Sequence, residues 1–167
     1  GGPKLEFTYH NTEDKSFKGL DFGRCVLKSR YEHTLTVANI GSMEAVVQLA
    51  HSNPCIYFDV RRNDLGEVRL IPGESIMFNV IYLPEKIEKI SNPIVFTLIN
   101  AKNATQSIFV KGRSGTEIME SSGSLDFSNV PLDEWQQKIV KFKNSGTFDL
   151  PFKYEFEPSA LADDFLV

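Results

Sequence analysis

A short sequence pattern near the start of the chain returns at a constant offset of 105 residues (125 − 20). Leu20-Asp21-Phe22 returns as Leu125-Asp126-Phe127, and Asn39-Ile40-Gly41 returns as Asn144-Ser145-Gly146. This period is too long for a solenoid repeat of ~20–50 residues and is close to the ~100 residues of a two-sheet β-sandwich. The chain of 167 residues therefore holds one complete module and part of a second.

Alternating apolar and polar residues predict β-strands along most of the chain. From Ile76 to Tyr82 every second residue is large and apolar, which is the pattern of a strand lying on a core. Turn residues such as Pro72-Gly73 separate these segments about every ten residues. Pro84 and Pro93 are expected to bracket a polar loop, Glu85 to Asn92. An antiparallel all-β sandwich of seven or more strands follows.

The alternation also assigns individual segments. The predicted strands of the first module are residues 5–9, 16–22, 24–28, 32–39, 44–50, 56–61, 67–71, 75–83, 93–100 and 105–112. Those of the second module are residues 124–128, 137–144 and 149–157. The main predicted core residues are Leu35, Val37, Val47, Phe78, Val80, Tyr82, Phe96 and Val110.

A polar segment, 114–123, is predicted to be a short linker between a complete module at 4–113 and the first part of a second at 124–167. Because the second module stops midway, its core would lack a cover. We therefore expect the chain to be part of a longer protein and to self-associate through exposed strand edges. Gly1-Gly2-Pro3 is typical of an expression scar and is left out of the fold argument.

Charge and cysteine usage exclude several classes of protein. The net charge is −4 and the basic residues are scattered, which argues against a nucleic-acid partner. No segment approaches the ~18 apolar residues of a membrane span, so no membrane insertion is expected. Cys25 and Cys55 enclose no tryptophan, and neither returns at the offset. Buried reduced thiols of a cytosolic protein are favoured over a disulfide.

An ordered set of motifs runs through the first module and, more weakly, through the second. The motifs are Leu20-Asp21-Phe22-Gly23, Leu35-Thr36-Val37-Ala38-Asn39-Ile40-Gly41, Leu70-Ile71-Pro72-Gly73-Glu74-Ser75, Phe78-Asn79-Val80-Ile81-Tyr82-Leu83-Pro84 and Ile108-Phe109-Val110-Lys111-Gly112. Together they resemble the ASH domain, a PapD-like and major-sperm-protein-like (MSP-like) immunoglobulin module. This domain occurs in the abnormal-spindle, spindle-defective and Hydin families of centrosomal and ciliary proteins. The second module departs from the pattern at Ser128, where the first has a glycine.

The resemblance implies an immunoglobulin-like (PapD/MSP-like) β-sandwich in tandem, with the second copy incomplete. It also implies a non-catalytic structural and protein-interaction module of a larger centrosomal or ciliary (axonemal or basal-body) scaffold. Such a module would lie in the cytoplasm, at the cytoskeleton, the centrosome or the cilium, and would bind other proteins.

The alternative function is a peptide-motif-binding adaptor of the MSP superfamily at membranes or the cytoskeleton. Relatives of that kind hold acidic peptides with basic residues on one sheet. The corresponding strands here, Ala45 to Ala50 and Ile94 to Asn100, carry no Lys or Arg. We therefore rank the scaffold above the adaptor.

No motif predicts a catalytic, cofactor-binding or metal-ligating residue, so we expect neither an enzyme nor a cofactor. Asp21-Phe22-Gly23 spells the magnesium-binding triplet of protein kinases, but the sequence lacks their glycine-rich loop and catalytic His-Arg-Asp. We interpret it as an edge strand in which Phe22 packs and Gly23 bends the backbone. The histidines have no Cys, Asp or Glu at metal-ligand spacing: His10, His33 and His51.

Three apolar residues are candidates for binding a partner. Trp135 opens a predicted strand, where covering its own module is favoured over anchoring another protein. Ile118 and Met119 lie in the predicted linker, where wedging two modules together is favoured over binding a third party. The sequence identifies no other partner-binding residue.

Overall fold

The computed structural model describes residues 1–11, 14–123 and 131–153. Their regular structure consists of β-strands, and the chain divides into two compact units, Gly1–Thr116 and Glu117–Val167. The strands are β1 (Leu5–Thr8), β2 (Gly19–Val26), β3 (Tyr31–Asn39), β4 (Ala45–His51), β5 (Ile56–Asp59), β6 (Val68–Leu70), β7 (Ser75–Tyr82), β8 (Lys89–Leu98), β9 (Ala104–Gly115), β10 (Met119–Ser122) and β11 (Lys141–Asn144).

The first unit is a two-sheet sandwich, as predicted. One sheet has the strand order β1-β3-β7-β5 and the other the order β2-β9-β8-β4-β6. Neighbouring strands are antiparallel except β2 and β9, which run parallel. Because side chains alternate between the two faces of a strand, each sheet contributes its apolar face to one shared core.

The predicted facing of the core residues is confirmed. All eight are buried: Leu35, Val37, Val47, Phe78, Val80, Tyr82, Phe96 and Val110. In β7, Phe78 is 6% exposed and its neighbour Met77 is 73% exposed. The alternation is incomplete, since Ile81 is buried on the face opposite to Val80.

The predicted polar loop from Glu85 to Asn92 is wrong in its second half. Strand β8 begins at Lys89 and continues through Pro93, which pairs with Phe109 of β9. Proline has no N–H group and is tolerated in a strand only where no partner needs one. Pro93 lies one residue outside the segment of β8 that pairs with β4, so β8 has a single neighbour at this point.

In the second unit, β10 and β11 form an antiparallel pair. Part of the predicted linker is therefore strand, since Ser114 and Gly115 end β9 and residues 119–122 form β10. The predicted strand 137–144 is shorter, at Lys141–Asn144, and residues 149–153 form no strand. The predicted strand 124–128 and residues 154–157 lie outside the described residues. The domain boundaries and the tandem arrangement stay predictions.

Truncating Phe78 to alanine should remove about 3–5 kcal/mol from the free energy of unfolding, because the change leaves a cavity between the sheets. Phe78 meets the ring of Phe58 edge-on, with 6.3 Å between centroids. Met77→Ala in the same strand is the matched control and should change the free energy by no more than about 0.5 kcal/mol. Urea unfolding of the two variants measures this, and equal midpoints for Phe78→Ala and the parent would show that the strand faces the other way.

Candidate functional site

Asp21-Phe22-Gly23 lies in β2, an edge strand of the five-stranded sheet. The register between β2 and β9 shifts between Asp21 and Arg24, and Gly23 takes a φ of 63°. Its N–H donates to Asp21 Oδ1 at 2.9 Å, while Phe22 is buried. The interpretation of this triplet as a bent edge strand is confirmed. At the edge of a sheet, bulges of this kind change the direction in which side chains point.

A cleft of about 430 Å³ lies beside this bulge, and three cationic residues line it: Lys89, Lys111 and Arg113. We call it the basic cleft. Lys89 lies directly opposite Arg113 in the register of β8 and β9. The group was not predicted from the sequence because its residues on β8 and β9 are far apart along the chain. Lys111 and Arg113 are two positions apart in one strand and so share a face, which was the only available signal.

Lys111 is held by acidic neighbours rather than open to a partner. Its Nζ atom lies 2.8 Å from Asp14 Oδ2, 3.8 Å from Asp21 Oδ2 and 4.4 Å from the centre of the Phe17 ring. Hydrogen bonds from Lys111 and then Ser16 lower the pKa of Asp14 from 3.8 to about 2. The Asp14 contact in turn raises the pKa of Lys111. Lys89 and Arg113 are exposed to solvent.

A second, polar cleft of about 500 Å³ lies next to the first. It is bounded by residues 52–55 and by polar residues of β8, and side-chain bonds fix its wall. Asn53 donates to Asn92 Oδ1 at 3.2 Å, and Asn92 donates to Ser52 Oγ at 3.2 Å. Asn53 also accepts from the Cys55 amide at 2.9 Å, so these polar groups are engaged in shaping the turn.

The cysteines are buried thiols, as predicted, and Cys25 Sγ donates to Phe22 O at 3.3 Å. His33 also serves the fold, since its Nε2 lies 2.8 Å from Asp21 O and its ring packs edge-on against Phe22. In the ranges 1–11, 14–123 and 131–153, no group of three or more His, Cys, Asp or Glu side chains is arranged to hold a metal ion. A search of the same residues finds no helix with the length and apolar character needed to cross a membrane.

The candidate partner residues lie in the second unit and are exposed. Trp135 is 96% exposed, so the expectation that it covers its own module is wrong. Ile118 and Met119 are 45% and 37% exposed, and Met119 is the first residue of β10 rather than part of a linker. Their role in binding a partner stays a prediction.

The outer strands of a sheet expose unpaired backbone groups, and two of these edges are covered by side chains. Asn11 accepts from the Asp21 amide at 2.9 Å and donates to Gly19 O at 2.8 Å, along β2. Gln106 accepts from the Leu5 amide at 3.0 Å and donates to its carbonyl at 3.1 Å, along β1. The described residues supply no comparable side-chain cover for β5.

This fold defines the class of protein, an immunoglobulin-like β-sandwich. Residues 4–113 match the model of the HYDIN/CFA65/VesB-like Ig-like domain family, and the chain belongs to that family. No curated protein matched the chain.

Three solved structures are similar to this chain. An ASH/PapD-like domain of human CEP192 (PapD-like domain 7) is 16% identical, with a TM-score of 0.46 over 66% of this chain and 84% of that chain. A protein of unknown function from Porphyromonas gingivalis is 18% identical, with a TM-score of 0.52 over 85% of this chain and 66% of that chain. WR4, an MSP family member of C. elegans, is 10% identical, with a TM-score of 0.40 over 55% of this chain and 90% of that chain. At such identities the likeness concerns the fold alone.

The contact between Asp14 and Lys111 predicts a pH dependence. Because the pKa of Asp14 in the folded state, about 2, lies below its ordinary value of 3.8, the contact stabilises the fold fully above pH 3.8 and is lost as the pH falls toward 2. A ¹³C NMR titration of the Asp14 carboxyl should have its midpoint near pH 2. In Lys111→Met the midpoint should move toward 3.8, and a parent midpoint already near 3.8 would contradict the contact.

Proposed function

We propose that this chain is a non-catalytic structural and protein-interaction module of a larger centrosomal or ciliary scaffold. Its family membership over residues 4–113 supports an immunoglobulin-like module. The resemblance of its motifs to ASH domains supports a place in centrosomes, basal bodies or axonemes. Buried or shielded polar residues such as Asn53 and Lys111 support the same conclusion, because their side chains are used to hold turns and strand edges.

The observation that carries this proposal is that side chains of the described residues cover the outer edges of β1 and β2 but not that of β5. Asn11 covers part of β2 and Gln106 covers part of β1, whereas β5 (Ile56–Asp59) ends its sheet without such cover from the described residues. Proteins that must avoid edge-to-edge association cover the outer strands of their sheets. An edge left open in this setting is suited to accept an extended segment of a partner as an added strand.

The side chains of β5 fit this mode of binding. Phe58 packs toward the core against Phe78, while Tyr57 on the opposite face is 50% exposed. An added strand places alternate side chains on the two faces of the sheet. Main-chain hydrogen bonds would then supply affinity, and contact with Tyr57 would supply selectivity for an apolar or aromatic residue in the partner.

Proximity labelling in ciliated cells tests the proposal, with the labelling enzyme fused to this chain. We expect enrichment of centrosomal, basal-body or axonemal proteins, and its loss in Tyr57→Lys, because lysine at an edge opposes strand addition. Met77→Lys is the matched control on the outer face of the same sheet and should label the same proteins as the parent. Labelling spread evenly through the cytosol, or the same neighbours in Tyr57→Lys, would contradict docking at β5.

The basic cleft supports the second candidate, an adaptor for acidic peptide motifs. Lys89 is exposed there, whereas Lys111 is engaged by Asp14 and Asp21. If the adaptor is correct, the labelled neighbours should depend on the cleft. Lys89→Glu would then remove them and Tyr57→Lys would not, the reverse of the pattern expected for the scaffold.

We also propose that the second unit mediates self-association. Several of its large apolar side chains are exposed, including Ile139 at 69%, Phe142 at 48% and Phe152 at 59%. Exposed apolar groups of this kind favour contact with another surface. The rings of Phe142 and Phe152 lie 5.3 Å apart and form one cluster.

Sedimentation velocity should therefore show association that increases with concentration. Replacing both phenylalanines with serine should shift the chain toward monomer, because the apolar cluster is lost. Ile87→Ser provides a control, since Ile87 is 55% exposed in the first unit. A parent chain that sediments as a monomer over a hundredfold range of concentration would refute self-association.

A further inference from the structure

The second unit begins with the same arrangement of strands and turn as the first. In the first unit β1 and β3 are antiparallel, with Leu5 opposite Asn39 and Thr8 opposite Thr36. In the second unit β10 and β11 are antiparallel, with Met119 opposite Asn144 and Ser122 opposite Lys141. Each pair has four paired positions, and in each the second strand ends at an asparagine.

The hydrogen bonds of the two asparagines also correspond. Asn39 donates to Met43 O at 2.7 Å and accepts from the Gly41 amide at 3.0 Å. Asn144 donates to Phe148 O at 2.7 Å and accepts from the Gly146 amide at 3.0 Å. Each asparagine bonds the carbonyl four positions ahead and the amide two positions ahead, so the two turns have the same shape.

The incoming chain is fixed to the turn in the same way. Ile40, the residue after Asn39, donates its amide to Lys4 O at 2.8 Å. Ser145, the residue after Asn144, donates its amide to Ile118 O at 3.0 Å. Lys4 directly precedes β1 and Ile118 directly precedes β10, so the position of the chain entry relative to the turn is the same in both units.

From these three correspondences we infer that β10 is the first strand of a second domain of the same family. The joint between the two domains then consists of Thr116, Glu117 and Ile118. The predicted linker 114–123 is replaced by strand on both sides of this joint.

The sequence offset explains why β10 was not recognised. The turn returns at an offset of 105 residues (144 − 39), whereas the first strand returns at 114 (119 − 5). The first unit therefore has nine more residues between its first strand and its Leu-Asp-Phe motif. The side chains also differ, since Ser121 takes the position of Phe7, so neither spacing nor composition identified the strand.

Amide hydrogen exchange on the whole chain tests the inference without reference to any partner. In the parent, the amides of residues 119–122 that pair with β11 should be protected, as those of β1 are. Asn144→Ala should raise their exchange rates about tenfold, because the turn that holds β11 loses its bonds. The same variant should leave the exchange rates of the β1 and β3 amides unchanged.

Asn39→Ala is the matched control and should give the opposite pattern, with faster exchange in β1 and β3 only. If Asn39→Ala unfolds the first unit, Asn144→Ala alone still decides the question. Rapid exchange of residues 119–122 in the parent, or rates there that Asn144→Ala leaves unchanged, would overturn the inference. Neither result would bear on docking at β5, so the two proposals fail separately.

Discussion

The side-chain amide of Asn39 joins three separate segments of the first domain. Its side chain is fully buried and donates to Met43 O and Leu70 O, at 2.7 and 2.9 Å, while accepting from Gly41 and Lys4. A buried amide satisfied in this way rigidifies its surroundings, and the same groups left unpaired would each cost about 1–3 kcal/mol. Gly41 belongs to this arrangement, since a side chain there would collide with the backbone nitrogen of Lys4.

The Asn39 arrangement also determines which outer strand of its sheet is covered by a side chain. With the chain entry fixed beside Asn39, β1 pairs with β3, and Gln106 bonds Leu5 on its outer side. At the far edge of the same sheet, β7 is the single partner of β5 among the described strands. This sheet is thus asymmetric, with one edge covered by a side chain and one that the described residues leave without such cover. In the other sheet Lys111 and Asp14 form an ion pair, while Lys89 on the neighbouring strand is exposed.

Much of this fold was predictable from local patterns. Period-two alternation identified the core face of β7 through Phe78 and Val80, because one buried face dictates the register of a strand. The Asn39-Ile40-Gly41 turn was recognised from its residue types alone. The strand character of residues 89–92, just before Pro93, was not, because it depends on which neighbour β8 lacks at that point.

The candidate site was less predictable for the same reason. The basic cleft arises from the register between β8 and β9, which places Lys89 opposite Arg113. Likewise, the cover that Gln106 gives to β1 joins residues 101 positions apart. Neither contact can be predicted from the spacing of residues along the chain. Strand β10 was missed because fewer residues separate it from Leu125-Asp126-Phe127 than separate β1 from Leu20-Asp21-Phe22.

The central claim is that the buried Asn39 amide organises the domain, and Asn39→Asp tests it most directly. The two side chains have the same shape, but the carboxylate puts a charged oxygen where an N–H₂ group faces Met43 O and Leu70 O. We predict a loss of about 3 kcal/mol or more in the free energy of unfolding, measured with urea. Asn103→Asp in an exposed turn should have little effect. Equal unfolding midpoints for Asn39→Asp and the parent would contradict the account.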